Sequence, residues 1–179
     1  MAAMRLYRDR VDTPIGAMLL LADDACLRVL EFEDQAHRLD DWVRHRFGRP
    51  ELVDARNPLG LATMLGDYFT GRLEAIDGMA AHAGGTPFQE AVWGALRRIP
   101  AGQTRTYGAL AAELGRPAAQ RAVGAANGRN PLAVVVPCHR LVGADGSLTG
   151  YGGGIRRKRW LLAHEGASIS PRALPAAPA

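Results

Sequence analysis

With 179 residues, 47% of them hydrophobic, the chain is long enough for one good core or two small ones and too apolar to be disordered. No apolar run approaches the roughly 20 residues that cross a bilayer, and the N-terminus lacks the pattern of a secretory signal, so we expect a soluble, cytoplasmic protein with no membrane partner. The net charge of +4 is uneven: residues 1–85 carry 10 basic against 14 acidic residues, and residues 86–179 carry 12 against 4. The basic second half favours a phosphate-bearing partner, with a solvated basic face as the plain alternative.

The first half predicts a small α/β unit. Two runs of strand-forming residues, 17–22 and 26–32, are separated by an acidic pair and indicate a hairpin. Apolar residues at helical spacing then predict helices over about 35–47 and 60–69. This half contains no constellation of reactive residues, so we assign it a supporting role.

A stretch of small residues at 75–85 coincides with the change in charge and indicates a linker or surface crossing. We therefore expect an N-terminal domain at 1–85 and a C-terminal domain at 86–170. A flexible tail is expected at 171–179.

The second half predicts three helices in succession. A capping-box pattern at 86–89 begins the first, which Pro100 ends. Thr106 caps the second, and the third covers about 118–127. The short turn between the last two is typical of a helix-turn-helix, although ordinary helical cores use the same pattern.

The third helix is built mostly from alanine and glycine, with Gln120 and Arg121 as its long polar side chains. Small residues let a backbone approach a surface closely, and one projecting cation suits the narrow minor groove of DNA. Tight packing between helices is the alternative, since it also uses alanine and glycine.

The apolar residues 132–136 predict a buried strand that Pro137 ends, which places Cys138 at the mouth of that strand. His139 and Arg140 follow directly and provide the positive surroundings that favour a thiolate. Taken alone, the Cys-His pair is more typical of a structural thiol beside a surface histidine. The second cysteine, Cys26, is predicted to be a small buried hydrophobic residue, and no zinc-ligand spacing is visible.

The sequence Val-Pro-Cys-His-Arg at 136–140 lies between Asn130-Pro131 and two later motifs, Gly-Tyr-Gly-Gly-Gly at 150–154 and Trp-Leu-Leu-Ala-His-Glu-Gly at 160–166. In this order it resembles the O6-alkylguanine-DNA alkyltransferase family (methylated-DNA–protein-cysteine methyltransferase). The likeness covers 86–166. It implies an α/β N-terminal domain, a small sheet with helices of ribonuclease H-like type, and a mostly α C-terminal domain with a winged-helix-like helix-turn-helix.

The resemblance also implies roles for individual residues. Cys138 would accept the alkyl group, and His139, oriented by Glu165, would take the thiol proton through a water. Tyr107 would help to rotate the nucleotide out of the stack and hydrogen-bond its base. Asn130 would hold the turn before the active-site segment. The implied catalytic set is Cys138, His139, Glu165, Tyr107 and Asn130.

For DNA contact, the resemblance makes Arg121 the side chain that fills the gap left by the flipped nucleotide. The implied DNA-binding set is Arg121, Tyr107, Gln120, Ala122, Gly124, Asn127 and Arg140. Around the base, the carbonyls of Cys138 and Leu141 would read the guanine amine, Tyr151 would form a wall, and the Gly152 amide would face the O6 atom.

The implied reaction moves an alkyl group from O6-alkylguanine, and from O4-alkylthymine, in double-stranded DNA to the cysteine. Because the O6 carbon is hidden inside a duplex, the base must leave the stack first. The product is a stable thioether, so each molecule would react once, without a metal or organic cofactor. We expect a monomer and leave cooperative binding to DNA open.

One position departs from the family pattern, and two small residues bear on the size of the pocket. Gln120 stands where the family typically has alanine, so the DNA contact there is expected to differ. Gly152 and Gly153 are small, which suggests a pocket that accepts groups larger than methyl.

The sequence leaves two other functions open, a non-enzymatic damage sensor and a cysteine hydrolase. A non-enzymatic damage sensor of the same fold would lack the acceptor cysteine, which is present here as Cys138. A cysteine hydrolase would need an acyl pocket with an oxyanion hole and would turn over many times.

Overall fold

The computed structural model describes residues 4–169 of the chain, so the tail expected at 171–179 lies outside the described residues. The chain divides into two compact units. The first extends to Gly84 and also includes Pro131–Val135, and the second comprises Gly85–Asn130 and the residues from Val136 onward. None of the helices within residues 4–169 combines the length and the apolarity needed to cross a membrane.

A small mixed sheet organises the first unit. Its strands are β1 (Arg5–Val11), β2 (Met18–Ala22), β3 (Leu27–Phe32) and β4 (Glu51–Asp54), in the spatial order β3-β2-β1-β4. The β2–β3 pair is antiparallel and confirms the predicted hairpin. The β1 strand pairs antiparallel with β2 and parallel with β4, and neither β1 nor β4 was predicted from the sequence.

Two helices complete the first unit close to where apolar spacing placed them: α1 (Ala36–Phe47) and α2 (Leu61–Phe69). The inward-facing side of α1 packs on the sheet, where burial of apolar surface stabilises the unit. The residues of this core are Leu6, Leu21, Val29, Leu39 and Val43, with Met4, Leu19, Trp42 and Phe47 packed against them.

The segment Pro131–Val135 also belongs to the first unit, and the prediction of a strand over 132–136 is wrong. Only Leu132 forms an isolated bridge, with Leu30, and the chain then turns. The amide of Val135 donates to the carbonyl of Ala133 over 2.8 Å, and Val134 between them has φ 71°. A β-branched residue is strained in that region, so the apolar run reflects a buried turn rather than a strand.

The second unit is mainly helical. Its helices are α3 (Pro87–Arg97), α4 (Tyr107–Glu113), α5 (Gln120–Gly128) and α6 (Ile155–His164). Two short parallel strands, β5 (Arg105–Thr106) and β6 (Leu141–Val142), pair through Arg105 with Leu141 and Thr106 with Val142.

Local capping explains where the helices of the second unit begin. Thr86 accepts a hydrogen bond from the Gln89 amide, and the Gln89 side chain accepts one from the Thr86 amide, which confirms the predicted capping box of α3. Thr106 likewise accepts from the Ala109 amide at the start of α4. The indole Nε1 of Trp93 then donates to the carbonyl of Ala126 over 3.0 Å, which joins α3 to α5.

Candidate active site

Two consecutive turns place Cys138. Pro137 has φ −80° and ψ 65°, and the Cys138 amide donates to the Val136 carbonyl over 2.8 Å, which together make an inverse γ-turn. A single 3-10 turn, Cys138–Arg140, follows at once. The side-chain amide of Asn130 donates to the same Val136 carbonyl over 2.8 Å. Asn130 therefore fixes the peptide that precedes the cysteine.

The Cys138 side chain is buried, with 6% of the residue exposed. The expectation of a thiol at an open strand mouth is corrected accordingly, because the preceding chain turns rather than runs straight into solvent. The 3-10 turn also means that Cys138 and His139 do not alternate as neighbours in a strand do.

His139, Arg140 and Glu165 form one buried hydrogen-bonded network. Nε2 of His139 lies 2.8 Å from Oε1 of Glu165. Arg140 donates through Nε to Oε2 of Glu165 over 2.9 Å and through Nη2 to Oε1 over 2.8 Å. All three residues are at most 5% exposed. A carboxylate that accepts two parallel bonds from a guanidinium and a third from an imidazole is held in one orientation.

The charges of this network follow from its burial. Burial alone would raise the pKa of Glu165, but the hydrogen bonds from His139 and Arg140 outweigh it and bring that pKa well below its ordinary 4.5. Burial lowers the pKa of His139 below 6.5, against the raising effect of Glu165. At neutral pH Glu165 is therefore ionised and His139 is neutral, with its Nε2–H donated to the carboxylate. The lone pair of the imidazole is then on Nδ1.

Arg140, which the resemblance placed in the DNA-binding set, is turned into the unit. It is 3% exposed, and its third donor, Nη1, binds the carbonyl of Ile99. Because every part of the guanidinium is turned inward, its charge serves the Glu165 carboxylate rather than a phosphate.

Helix α6 ends at the network, since Glu165 is its C-cap residue. The backbone of Gly102 lies directly against Glu165: a Cβ added at Gly102 would stand 2.8 Å from the Glu165 carbonyl oxygen, and Gly102 has φ +80°. Only glycine meets both conditions without strain. This close contact between backbones helps to fix the C-terminal end of α6, where Glu165 is the C-cap residue.

The residues predicted to face DNA lie mainly on α4 and α5. Gln120, Arg121 and Ala122 are exposed at the start of α5. Tyr107 begins α4 and is half-buried, and a Cβ added at Gly124 would be 3.8 Å from its ring, so the ring packs beside α5 at that glycine. Gln120 packs back over α4, because a Cβ at Gly108 would lie 3.0 Å from its Nε2.

Asn127 is the exception among these residues. It is 5% exposed and lies on the inward face of α5 with Val123 and Ala126. Its assignment to DNA contact is therefore corrected: helical periodicity turns position 127 into the unit. Arg129, directly after the helix, is exposed and was not singled out.

The three residues assigned to the substrate pocket follow the cysteine turn. Leu141 is fully buried in β6, Tyr151 is half-buried and Gly152 is exposed. One further group near the site was missed by sequence reasoning. Lys158 lies on α6 and has no exposed surface. Within residues 4–169, no three His, Cys, Asp or Glu side chains are grouped so that they could hold a metal ion.

Comparison with known proteins adds independent information. Residues 87–167 match the family model described as 6-O-methylguanine DNA methyltransferase, DNA binding domain. The chain is 51% identical over 166 residues to a methylated-DNA–protein-cysteine methyltransferase of Salmonella typhimurium, covering 91% of this chain and 97% of the relative. It is 42% identical over 160 residues to the protein of the same name from Methanosarcina barkeri, covering 88% and 95%.

Solved structures agree with these sequence matches. The crystal structure of Mycobacterium tuberculosis OGT in complex with DNA superposes with a TM-score of 0.76 at 40% identity, covering 91% of this chain and 93% of that one. The O6-methylguanine-DNA methyltransferase of Pyrococcus kodakaraensis superposes with a TM-score of 0.66 at 26% identity, covering 90% and 99%.

Proposed function

We propose, from the premise that this chain belongs to the methylated-DNA–protein-cysteine methyltransferase family, that Cys138 is the residue that takes the alkyl group. As an enzyme of that family, the chain acts in DNA repair by alkyl transfer. The steps assigned below to individual residues are our proposal for this molecule.

One observation carries the assignment: Nε2 of His139 is engaged by the ionised Glu165 at 2.8 Å. This hydrogen bond fixes the tautomer whose Nδ1 is a base, and the carboxylate stabilises the imidazolium that forms when Nδ1 takes a proton. We propose that a single water relays the thiol proton to this nitrogen, as the family resemblance implies. The arrangement makes a buried thiol ionisable without a metal.

The proposed reaction begins at the thiol. The thiol proton passes to His139, and the thiolate attacks the O6-alkyl carbon of the flipped guanine. A carbon–sulfur bond forms as the carbon–oxygen bond breaks, and the electron pair stays with the guanine. A hydrogen bond from the Tyr107 hydroxyl to the base stabilises the leaving guanine anion. That anion takes up one proton, the imidazolium of His139 returns the proton it took from the thiol, and no net proton is gained or lost. The thioether has no comparable leaving group, so each molecule reacts once and irreversibly.

For DNA binding we propose that α4 and α5 act as a helix-turn-helix of winged-helix type with α5 in the minor groove. What supports this is that the exposed start of α5 carries Arg121 beside the small Ala122, so the backbone can approach closely while one cation enters the base stack. Base flipping follows because the O6 carbon is inaccessible in a duplex. We expect the chain to bind as a monomer.

Mass spectrometry of the intact protein tests the reaction. After incubation with a duplex that contains O6-methylguanine, we expect a gain of one methylene unit, located on the peptide with Cys138, and one lesion repaired per molecule. The peptide with Cys26 is the internal control and should be unmodified. The same assay with O4-methylthymine and O6-benzylguanine duplexes ranks the substrates.

The stoichiometry separates the rival functions. Repair of many lesions by one molecule would indicate a hydrolase or another catalyst with turnover. Tight binding to the lesion with no mass gain would indicate a damage sensor. Either result would overturn the assignment of Cys138.

A further inference from the structure

The chain in front of the cysteine turn contains another tight turn, which the reaction proposed above does not use. The amide of Val135 donates to the carbonyl of Ala133 over 2.8 Å, and Val134 between them has φ 71°. A hydrogen bond that spans one residue with a positive φ defines a classic γ-turn, which is rare because it strains the backbone. Val134 is therefore a strained residue four positions before Cys138.

The residue type at this turn is unexpected. Among residues 4–169, eleven glycines have a positive φ, which glycine adopts at no steric cost. The other residues of that range with a positive φ are Asn57, whose short polar side chain tolerates it, and Leu59 at the surface. Val134 combines a positive φ with a β-branched side chain, which sterics strongly disfavour. The need for a tight bend does not account for valine, because glycine would make the same bend without strain.

Valine supplies a buried side chain, which glycine lacks. Val134 is 0% exposed, and Val135 and Val136 after it are at most 3% exposed. A branched side chain enclosed by close-packed neighbours holds its backbone in one conformation, whereas glycine at the same position would leave several open. The turn is thus both strained and locked.

The chain is also held on both sides of the turn. Before it, the amide of Leu30 in β3 donates to the carbonyl of Pro131 over 2.8 Å, and the amide of Ala133 donates back to the carbonyl of Leu30 over 2.9 Å. After it, the side-chain amide of Asn130 donates to the carbonyl of Val136 over 2.8 Å. Strained residues persist only where their surroundings over-determine them, and they concentrate at functional sites.

The γ-turn decides how the chain enters the cysteine turn. The bridge between Leu30 and Leu132 is parallel, and an extended chain would continue that pairing along β3. The γ-turn ends the pairing instead, and the inverse γ-turn at Pro137 follows with no glycine in between. A change in the first turn therefore displaces Cys138. Displacement of a reacting atom by about 1 Å is enough to slow a reaction about a hundredfold.

We propose that Val134 is a positioning residue for the alkyl transfer: its buried side chain holds the strained γ-turn in one conformation, and that conformation sets the place of the Cys138 sulfur before a substrate arrives. The proposal rests on the function assigned to Cys138 above. If Val134 only filled the core, loss of rate would follow loss of stability in its variants. A positioning role separates the two.

Two substitutions at position 134 separate strain from packing. Val134→Ala and Val134→Gly both remove the buried side chain, but alanine must still adopt φ 71°, whereas glycine does so freely. We therefore expect a higher urea midpoint for Val134→Gly than for Val134→Ala. The matched control is Val43, a buried valine in the helix α1, where the order should be reversed because glycine is the poorer helix former. If glycine is the less stable residue at both positions, the turn is not strained and the proposal fails.

The rate of alkyl transfer tests the positioning role itself. Single-turnover kinetics with a saturating O6-methylguanine duplex give the rate constant, and titration with an unmodified duplex gives Kd. We expect Val134→Gly to react about tenfold or more slowly than wild type, with Kd unchanged within about twofold, because the sulfur and not the DNA surface is displaced. Val134→Thr keeps the shape of the side chain but buries a hydroxyl, so it should lose stability and still react within about threefold of wild type.

The outcomes that would overturn the proposal are distinct. One is a wild-type rate in Val134→Gly, and another is an equal loss of rate in Val134→Thr or in the control Val43→Ala, each measured where the protein is folded. If the wild-type protein transfers no methyl group, the function assigned to Cys138 fails, while the order of the urea midpoints still tests the turn.

Hydrogen exchange of the wild-type protein keeps the test open if Val134→Gly does not fold. The amide of Val135 closes the γ-turn, so it should exchange only when the whole protein unfolds, at the rate of the slowest amides of β2 and β3. Faster exchange of this amide through local opening would show that the turn is not fixed and would contradict the proposal.

Discussion

The two units differ in where they put their charges. In the first, cross-strand ion pairs lie at the surface: Arg5 and Glu51 are opposite each other in the parallel ladder of β1 and β4, 3.0 Å apart, with side chains 55% and 53% exposed. Arg8 and Asp54 form a similar pair three residues further along the same ladder. Such pairs contribute little to stability because water solvates the separated charges almost equally well.

The second unit also buries a group of four ionisable residues. His139, Arg140, Lys158 and Glu165 are each at most 5% exposed. Removing charged groups from water is costly, and the cost is offset only where each charge meets a partner in good geometry. In the first unit, Glu31 of β3 is the one charged residue that is buried among those the structure describes, 3.5 Å from Arg38. The chain therefore concentrates its buried charges around the cysteine to which chemistry is assigned and leaves most charges of the supporting sheet in solvent.

The largest effect is expected from Cys138→Ser, which keeps the shape of the turn but replaces the thiol with a hydroxyl. A serine hydroxyl does not ionise beside a neutral histidine, so alkyl transfer should fall by at least about a thousandfold. Loss of lesion and gain of protein mass, measured together, check this. Cys26→Ser in the first unit is the matched control and should transfer normally. If Cys138→Ser still repairs the lesion, or if Cys26→Ser does not, the reactive cysteine does not lie in the second unit as proposed.

Glu165→Gln should have the next largest effect. It removes the anion from a buried cluster, leaves the Arg140 guanidinium uncompensated and no longer stabilises an imidazolium at His139. We expect a loss of about 3–5 kcal/mol in the free energy of unfolding and a transfer rate lower by about 10²-fold or more. Urea unfolding and single-turnover kinetics measure the two quantities.

The matched control for that substitution is Glu113→Gln. Glu113 makes the same kind of bond to an arginine, 3.0 Å from Arg98, but the side chains are 41% and 63% exposed. It should change the free energy of unfolding by less than about 1 kcal/mol. Equal effects of the two substitutions would mean that burial is not what distinguishes the active-site network.

The pH dependence of stability is expected to be smaller and has a definite sign. His139 is held neutral by burial, with its pKa below 6.5, so the unfolded chain binds a proton first as pH falls and stability is lost from about 6.5 downward. Glu165 has its pKa lowered from 4.5, so its contribution is present above 4.5 and is lost as pH falls further.

Urea midpoints measured from pH 8 down to about 2.5 check this expectation, because the contribution of Glu165 is lost only below 4.5. The midpoint should fall throughout the acid range in wild type, and Glu165→Gln should lose the part of the decline that the carboxylate causes. A wild-type midpoint that is flat or rises between pH 7 and 5 is incompatible with a neutral, buried His139.

Sequence reasoning succeeded where the signal is local. The hairpin of β2 and β3, the helices and the capping box of α3 all depend on residues within a few positions of one another. It failed for β1, whose sequence Arg-Leu-Tyr-Arg-Asp-Arg-Val carries four charges in seven residues, and for β4. These two strands pair across more than 40 positions, and their charged residues face solvent, so neither shows an apolar alternation.

The residues of the candidate site show the same difference between local and long-range signals. Cys138, His139 and Glu165 were found through a family resemblance, because nothing in local spacing shows that residues 26 positions apart share a hydrogen bond. Arg140 and Asn127 were placed in the DNA-binding set that the resemblance implies, whereas the fold turns both inward. Lys158 was passed over among the arginines around it, although its being the only lysine was visible in the sequence.

The smallest effect, and the sharpest test of the comparison, is expected for the pair of Arg5 and Glu51. In a double-mutant cycle, Arg5→Met and Glu51→Gln remove the two charges singly and together, and the urea midpoint of each protein is measured at low and high salt. Because both side chains are more than half exposed, the coupling should be close to the error of the measurement and should disappear at high salt, where surface charges are screened.

The corresponding cycle with Arg140→Met and Glu165→Gln should show a coupling energy at least about fivefold larger, and salt should hardly change it because the buried pair is not accessible to ions. A strong, salt-resistant coupling between Arg5 and Glu51 would show that the sheet unit also depends on its charges, and the contrast between a solvated support and a charged, buried active site would no longer hold.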